Sequence, residues 1–184
     1  MYTIRLTRTL LAQFAADDDE PAGDVEPTTR LGDWYVMPKE IGDRSLLLCT
    51  SEKSLLSIVL PAERLADLPE HLVTALVGVL HRLGAPKQAI VDEVDAMTSG
   101  GVGPAVNRAT LGAMRGLAAR AETFLERSGD DLDVAALYAE LGAYRSRAHG
   151  GQTASERALA LLGDGSDVSG AASKRTRKTR RPRP

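Results

Sequence analysis

The stretch TTRLGDWYVMPKEIGDRSLLLCTSEKSLLSIVLPAE, residues 28–63, decides the fold because it holds three apolar runs separated by turn signals. The runs cover residues 34–39, 45–50 and 55–60, and the turns fall at residues 42–43 and 51–54. In the third run Leu56, Ile58 and Leu60 alternate with Ser57 and Val59, whereas the middle run is apolar on both faces, as in a central strand. The stretch therefore predicts a three-stranded antiparallel meander.

The residues before this stretch predict one further strand and one helix. Tyr2–Leu6 alternate as in a short strand, which would be a fourth strand of the sheet. Thr7 is placed to cap a helix that carries Leu10. Residues 17–27 contain six acidic side chains together with glycine and proline, so we interpret them as a solvated loop.

After Pro61 the apolar period changes from 2 to 3.6, which predicts a series of helices. We expect five helices. The first runs from Pro69 to Gly84, the second begins at Pro86, and the third covers residues 108–126. The fourth follows a cap at Asp130 or Asp131, and the fifth runs from a capping box at Thr153 and Glu156 to Gly163. The glycine-rich segment SGGVGPA, residues 99–105, lacks the lysine of a phosphate-binding loop. We interpret it as a flexible connector between two helices.

The order of elements, strands first and helices after, is typical of the α+β class. We expect a small antiparallel sheet of three or four strands near the N-terminus, packed by about five helices on one side. Residues 1–163 would form a single domain. Residues 164–184 lack any apolar period, and we expect them to be a disordered basic tail.

Composition excludes several classes of protein. Hydrophobic residues make up 43% of the 184, enough for a core, but aromatic residues make up only 4%. No stretch approaches the ~20 apolar residues of a membrane span, and Arg5 and Arg8 interrupt the N-terminal apolar residues, so we expect neither a signal peptide nor a membrane partner. A single cysteine excludes an internal disulfide, which favours the cytoplasm.

The charge is distributed unevenly along the chain. The last eleven residues carry seven cations and no acid, and the preceding 173 residues carry a net charge of −9. The cations are Lys174, Arg175, Arg177, Lys178, Arg180, Arg181 and Arg183. Such a tail could bind nucleic acid non-specifically through its phosphates, or it could only screen the acidic body of its own chain. No aromatic residue interleaves with the cations, which argues against sequence readout.

Metal and cysteine chemistry find little support in the sequence. His71, His81 and His149 have no cysteine, aspartate or glutamate at a metal-ligand spacing, so we assign no metal and no cofactor. Cys49 lies in the most apolar strand, where a free cysteine usually packs as a small hydrophobic residue.

The motif TRLGDWY offers the first candidate site. Arg30, Asp33, Trp34 and Tyr35 place an anion-binding fork, an acid and two aromatic rings within six residues, a set that could bind a ligand. The alternative is a turn that leads into a strand, with the tryptophan in the core and a local Arg30–Asp33 pair. We favour the alternative.

The motif VNRATLGAM offers the second candidate. Asn107 could cap the helix over residues 108–126, and Arg108 lies at its start. The free backbone N–H groups and positive dipole end of a helix can hold an anion. The alternative, an ordinary cap followed by a solvated arginine, is the one we favour.

Together these motifs resemble a family of small bacterial proteins known as domain of unknown function 6933. The resemblance rests on IRLTRTLL, TTRLGDWY, the meander, the spacing of Asn107, Arg108, Gly112 and Met114, and ERALALL near residue 160. In the family, Asn-Asp-Phe usually follows that methionine, whereas Arg115, Gly116 and Leu117 stand here. The family implies no activity. It does suggest that Asp33, Trp34, Asn107 and Arg108 belong to one feature, and we hypothesise that the two motifs meet where the sheet edge faces the third helix.

Three functions are compatible with the sequence. The first is a non-catalytic binding or adaptor protein of the bacterial cytoplasm, with an unknown protein or small molecule as its ligand. The second is a small enzyme acting on a phosphorylated or nucleic-acid substrate, in which Arg30 and Arg108 bind the anion and Asp33 is the general base. The third is a nucleic-acid-associated protein anchored by its tail. The absence of a catalytic motif favours the first.

Overall fold

The computed structural model describes residues 2–14, 26–62, 65–129 and 133–163. Five strands and six α-helices are found there: β1 (Tyr2–Leu6), α1 (Arg8–Phe14), β2 (Trp34–Ile41), β3 (Arg44–Ser51), β4 (Ser57–Pro61), α2 (Leu68–Arg82), α3 (Lys87–Ala96), β5 (Gly100–Pro104), α4 (Arg108–Ser128), α5 (Val134–Gly142) and α6 (Ala154–Gly163). The class is α+β, as predicted. The predicted tail and most of the predicted acidic loop lie outside the described residues.

The sheet is larger than predicted, and it is mixed. Its strand order is β4-β3-β2-β1-β5. The meander β2-β3-β4 is antiparallel as predicted, with Val36 opposite Cys49 and Cys49 opposite Ile58. Strand β1 runs parallel to both β2 and β5. The expectation of a purely antiparallel sheet is therefore wrong, because the chain leaves β1 through a helix and a long connection and returns in the same direction.

The glycine-rich segment is the fifth strand and not a flexible connector. Gly100–Pro104 pair with β1 along its whole length, and Tyr2 lies opposite Gly100. A Cβ atom at Gly100 would lie 2.5 Å from Cε1 of Tyr2, so only glycine leaves room for that ring. The partner strand lies almost a hundred residues away in sequence, which is why the local composition gave the wrong interpretation.

Helices cover both faces of the sheet, which corrects the expectation that they lie on one side. Side chains of alternate strand positions enter two separate cores. The larger core contains Trp34, Cys49 and Ile58 together with side chains of α1, α2, α3 and α6. The smaller core contains Leu48 and is covered by α4 and α5. The second face of β1, with Thr3 and Arg5, belongs to neither core.

The helix ends agree in part with the predicted caps. The capping box at Thr153 and Glu156 is formed: the Thr153 amide donates to the Glu156 carboxylate at 2.8 Å, and the Glu156 amide donates to Thr153 Oγ1 at 3.1 Å. The cap of α5 is Asp133 rather than Asp130 or Asp131, because Asp133 Oδ1 accepts hydrogen bonds from the Ala135 and Ala136 amides in the first turn of the helix. Thr7 precedes α1, but its buried hydroxyl makes no hydrogen bond with the described residues.

Candidate functional site

The loop before β2 is a tight turn that fixes the position of Asp33. The Gly32 amide donates to the Thr29 carbonyl at 3.3 Å, and Thr29 Oγ1 donates to the Gly32 carbonyl at 2.9 Å. Gly32 has a φ of +80°, in the region that favours glycine. This turn aims the Asp33 side chain at β1.

Asp33 forms a buried ion pair with Arg5 of β1. Arg5 Nε lies 2.8 Å from Asp33 Oδ2, and the two side chains are 6% and 3% exposed. The other oxygen, Oδ1, accepts the Thr3 amide at 2.9 Å. The pair exists because the parallel β1 places Arg5 next to Tyr35 in register. The local Arg30–Asp33 pair considered from the sequence is not formed.

A second polar cluster faces this ion pair. Glu52 Oε1 accepts Asn107 Nδ2 at 2.8 Å and the Tyr35 hydroxyl at 3.4 Å. The Asn107 amide donates to the Tyr35 oxygen at 3.3 Å, while Asn107 Oδ1 caps α4 by accepting from the Ala109 and Thr110 amides. The two sequence motifs are thus in direct contact, as hypothesised, although the contact is made at β2, inside the sheet.

Glu52 is held near Asp33 by the turn between β3 and β4. The Glu52 amide donates to the Asp33 carbonyl at 2.9 Å. Ser51 Oγ donates to the Leu31 carbonyl at 2.7 Å and also contacts Ser54 Oγ at 2.8 Å. Leu55 completes the turn with a φ of +62°, a strained conformation for leucine. The turn and the loop before β2 therefore form one hydrogen-bonded unit.

These groups line a cavity of about 440 Å³, which we call the Asp33 pocket. Its lining residues are Arg5, Glu26, Pro27, Asp33, Tyr35, Glu52, Val106 and Asn107. The pocket holds three carboxylates and one guanidinium, and that guanidinium is already paired with Asp33. Burial and the neighbouring Glu52 carboxylate raise the pKa of Tyr35, so its hydroxyl stays protonated at neutral pH. Val106, at the rim, is 60% exposed.

Three of the six residues predicted for a site line this pocket, and three do not. Asp33, Tyr35 and Asn107 line it. Arg30 instead donates through Nη1 to the Leu162 carbonyl at 2.6 Å and lies 3.5 Å from Asp92. Trp34 is fully buried in the larger core, and Arg108 is exposed and does not line the pocket. The three residues assigned to an enzymatic site, Arg30, Asp33 and Arg108, therefore do not converge.

Sequence reasoning missed Arg5, Glu52 and Glu93. Arg5 carried a detectable signal, because it is a charged residue between the apolar Ile4 and Leu6 in a short predicted strand, and all five residues of that strand are buried. Glu52 was interpreted only as part of a turn. Glu93 of α3 is 1% exposed, and its carboxylate accepts the Arg30 and Leu31 amides at 2.7 and 3.0 Å. These two hydrogen bonds attach the loop before β2 to α3, whereas Asp33 attaches the same loop to β1.

The described residues give no arrangement for metal or thiol chemistry. They contain no group of three or more His, Cys, Asp or Glu side chains that could hold a metal ion. Cys49 is fully buried in the larger core, as predicted, and burial raises the pKa of its thiol. In the same part of the chain, none of the helices combines the length and apolar composition that a membrane crossing requires.

The chain is thus an α+β domain with a mixed five-stranded sheet, helices on both faces and a polar pocket beside the N-terminus of α4. The family model described as domain of unknown function (DUF6933) matches residues 3–152, and the chain belongs to this family. The match includes every residue that lines the Asp33 pocket. A comparison with curated proteins finds no match.

Proposed function

We propose that this protein is a non-catalytic binding domain of the cytoplasm whose Asp33 pocket takes a cationic group with an aliphatic stem, such as the side chain of lysine or arginine. The observation that carries the proposal is the charge of the pocket. Three carboxylates face one guanidinium, and Arg5 already pairs with Asp33. An ammonium or guanidinium group would balance the remaining negative charge, whereas a phosphate would be repelled.

The hydrogen bonds of Asp33 argue against the general-base role that the alternative enzyme would give it. A general base needs a carboxylate oxygen free to receive a proton, but both oxygens of Asp33 accept hydrogen bonds, from Thr3 and Arg5. Glu52 Oε1 accepts two hydrogen bonds, while Oε2 accepts none from the described residues. Glu52 Oε2 is therefore the acceptor that we assign to the incoming cation.

The rim of the pocket suits the stem of a long basic side chain. Pro27 and the exposed Val106 offer apolar contact, and the ring of Tyr35 offers a further apolar surface. Lysine and arginine bury their methylene groups against such surfaces while the charged end binds polar groups. A basic side chain of a partner protein, or of the chain's own tail, could supply this group.

Titration with N-acetyl-lysine amide and N-acetyl-arginine amide tests the proposal. We expect saturable shifts of the Val106 and Asn107 amide resonances in NMR spectra of the full chain. Glu52→Gln should weaken this binding about tenfold, because the charge-assisted bond contributes about 1.4 kcal/mol or more. Glu70→Gln is the matched control, since it removes one exposed carboxylate on α2 and should leave the affinity unchanged.

Two further comparisons make the result decisive. Binding of inorganic phosphate instead of the cations would contradict the proposal and favour the alternative enzyme with a phosphorylated substrate. Tighter binding by a chain that ends at Gly163 would identify the basic tail as a competing occupant of the pocket. Equal affinity of the wild type and of Glu52→Gln would exclude Glu52 as the cation acceptor.

A second function is proposed from the charge of the tail, whose structure lies outside the described residues. The seven cations between Lys174 and Arg183 should hold a polyanion through counterion release. We expect the full chain to bind labelled DNA or RNA in fluorescence anisotropy, with log K falling against log salt at a slope of up to about −6. The chain that ends at Gly163 should not bind. Equal binding by both chains would move the nucleic-acid site into the domain.

A further inference from the structure

An apolar groove lies between α2 and α3, on the opposite side of the sheet from the Asp33 pocket. Its cavity is about 400 Å³, and Val77, Ile90, Val91 and Val94 provide its apolar lining. Val91 is 49% exposed, one of the three exposed large hydrophobic residues in the described part of the chain. Val91 and the apolar lining of the groove lie next to one another, and a contiguous exposed apolar surface of this kind can bind a partner.

The charges beside the groove are arranged symmetrically about Val91. Lys87, Val91 and Asp95 are four residues apart, so they form one stripe along α3, about 12 Å long. Neither the Lys87 ammonium nor the Asp95 carboxylate forms an ion pair with any described residue. Asp92, by contrast, is engaged by Gln88 and Arg30 and takes no part in the stripe.

A third observation comes from α2. Gly78 lies in the interior of this helix, next to Val77, and a Cβ atom there would meet no atom within 4 Å. Glycine in a helix interior is unfavourable, and no packing inside the described chain explains it. The absence of a side chain at this position leaves open space beside Val77, where another helix could pack closely.

We propose that this face binds a second copy of the same chain in an isologous dimer, with the two α3 helices antiparallel. A two-fold axis near Val91 would place Val91 against Val91 of the second copy. Lys87 of each copy would then lie beside Asp95 of the other, which forms the same ion pair twice. The stripe is complementary to itself in this arrangement, and the open space at Gly78 would let the partner helix approach α2 closely.

Charge reversal tests the dimer. The full chain is studied by sedimentation equilibrium from micromolar to millimolar concentration, and we expect a monomer–dimer equilibrium. Lys87→Asp alone, or Asp95→Lys alone, should weaken the dimer at least about tenfold, because two like-charged pairs then meet across the interface. The double variant K87D/D95K restores both ion pairs with reversed polarity and should return to the wild-type dissociation constant.

The controls separate the interface from general charge effects. Glu126→Lys makes the same change in net charge as Asp95→Lys at an exposed site of α4, on the other face of the sheet, and should leave the dimer intact. All substituted side chains are exposed, and circular dichroism should report an unchanged fold. A wild-type chain that stays monomeric throughout, or a double variant that fails to recover, overturns the proposal. Neither result bears on the Asp33 pocket, which lies on the other face.

Discussion

Replacing Asp33 by alanine is expected to lower the free energy of unfolding by about 3 to 5 kcal/mol, as is usual when one partner of a buried ion pair is removed. Arg5 would keep its buried guanidinium without this carboxylate, and the Thr3 amide would lose its acceptor. Urea denaturation followed by circular dichroism measures the change. The loss should appear in the midpoint with an unchanged slope, because the surface exposed on unfolding stays the same.

Two variants show whether the loss arises from the ion pair. The double variant Arg5→Met with Asp33→Leu removes both charges and should be clearly more stable than Asp33→Ala alone. Asp33→Asn keeps an oxygen that can accept a hydrogen bond from the Thr3 amide. It should therefore lower the free energy of unfolding by less than Asp33→Ala does. If Asp33→Ala unfolds at the same urea concentration as the wild type, Asp33 does not contribute to stability in the way described.

Glu93→Ala is expected to lower the free energy of unfolding by about 2 to 4 kcal/mol. The substitution leaves the Arg30 and Leu31 amides without an acceptor, and each buried donor left in this state costs about 1 to 3 kcal/mol. The loop before β2 should also loosen, and with it the position of Asp33. Hydrogen exchange of the Arg30 and Leu31 amides, measured together with urea denaturation, reports both effects.

Glu93→Gln is the control for Glu93→Ala, because it keeps the size of the side chain and removes its charge. The pH dependence of stability in this variant provides a second test. Burial raises the pKa of Glu93 above the ordinary glutamate value. Between the unfolded and the folded pKa, the folded chain holds more protons than the unfolded chain, so stability falls as pH rises through this window. The glutamine variant should lack that part of the pH dependence while keeping an acceptor oxygen. A wild type and a glutamine variant with the same pH profile would contradict the assigned titration.

The alternation of apolar residues and the local turn chemistry determined much of the fold. The meander β2-β3-β4, the strand β1 and most helix positions follow from patterns within ten or twenty residues. The cap at Asn107 and the capping box at Thr153 also follow from local sequence, because the donor and the acceptor are only two or three residues apart. Asp33, Tyr35 and Asn107 were found by their motifs.

Only the tertiary structure decided which of these residues act together. Strand β5 forms because β1 offers a parallel partner and Tyr2 needs the space at Gly100, and neither requirement is visible in a glycine-rich segment. Arg5 lies 28 residues before Asp33, and Asn107 lies 55 residues after Glu52, so the pocket assembles contacts that no local pattern encodes. Sequence patterns report which side chains are buried along one element. The partner of a buried charge depends on strand order and register, and these are set when the whole sheet forms.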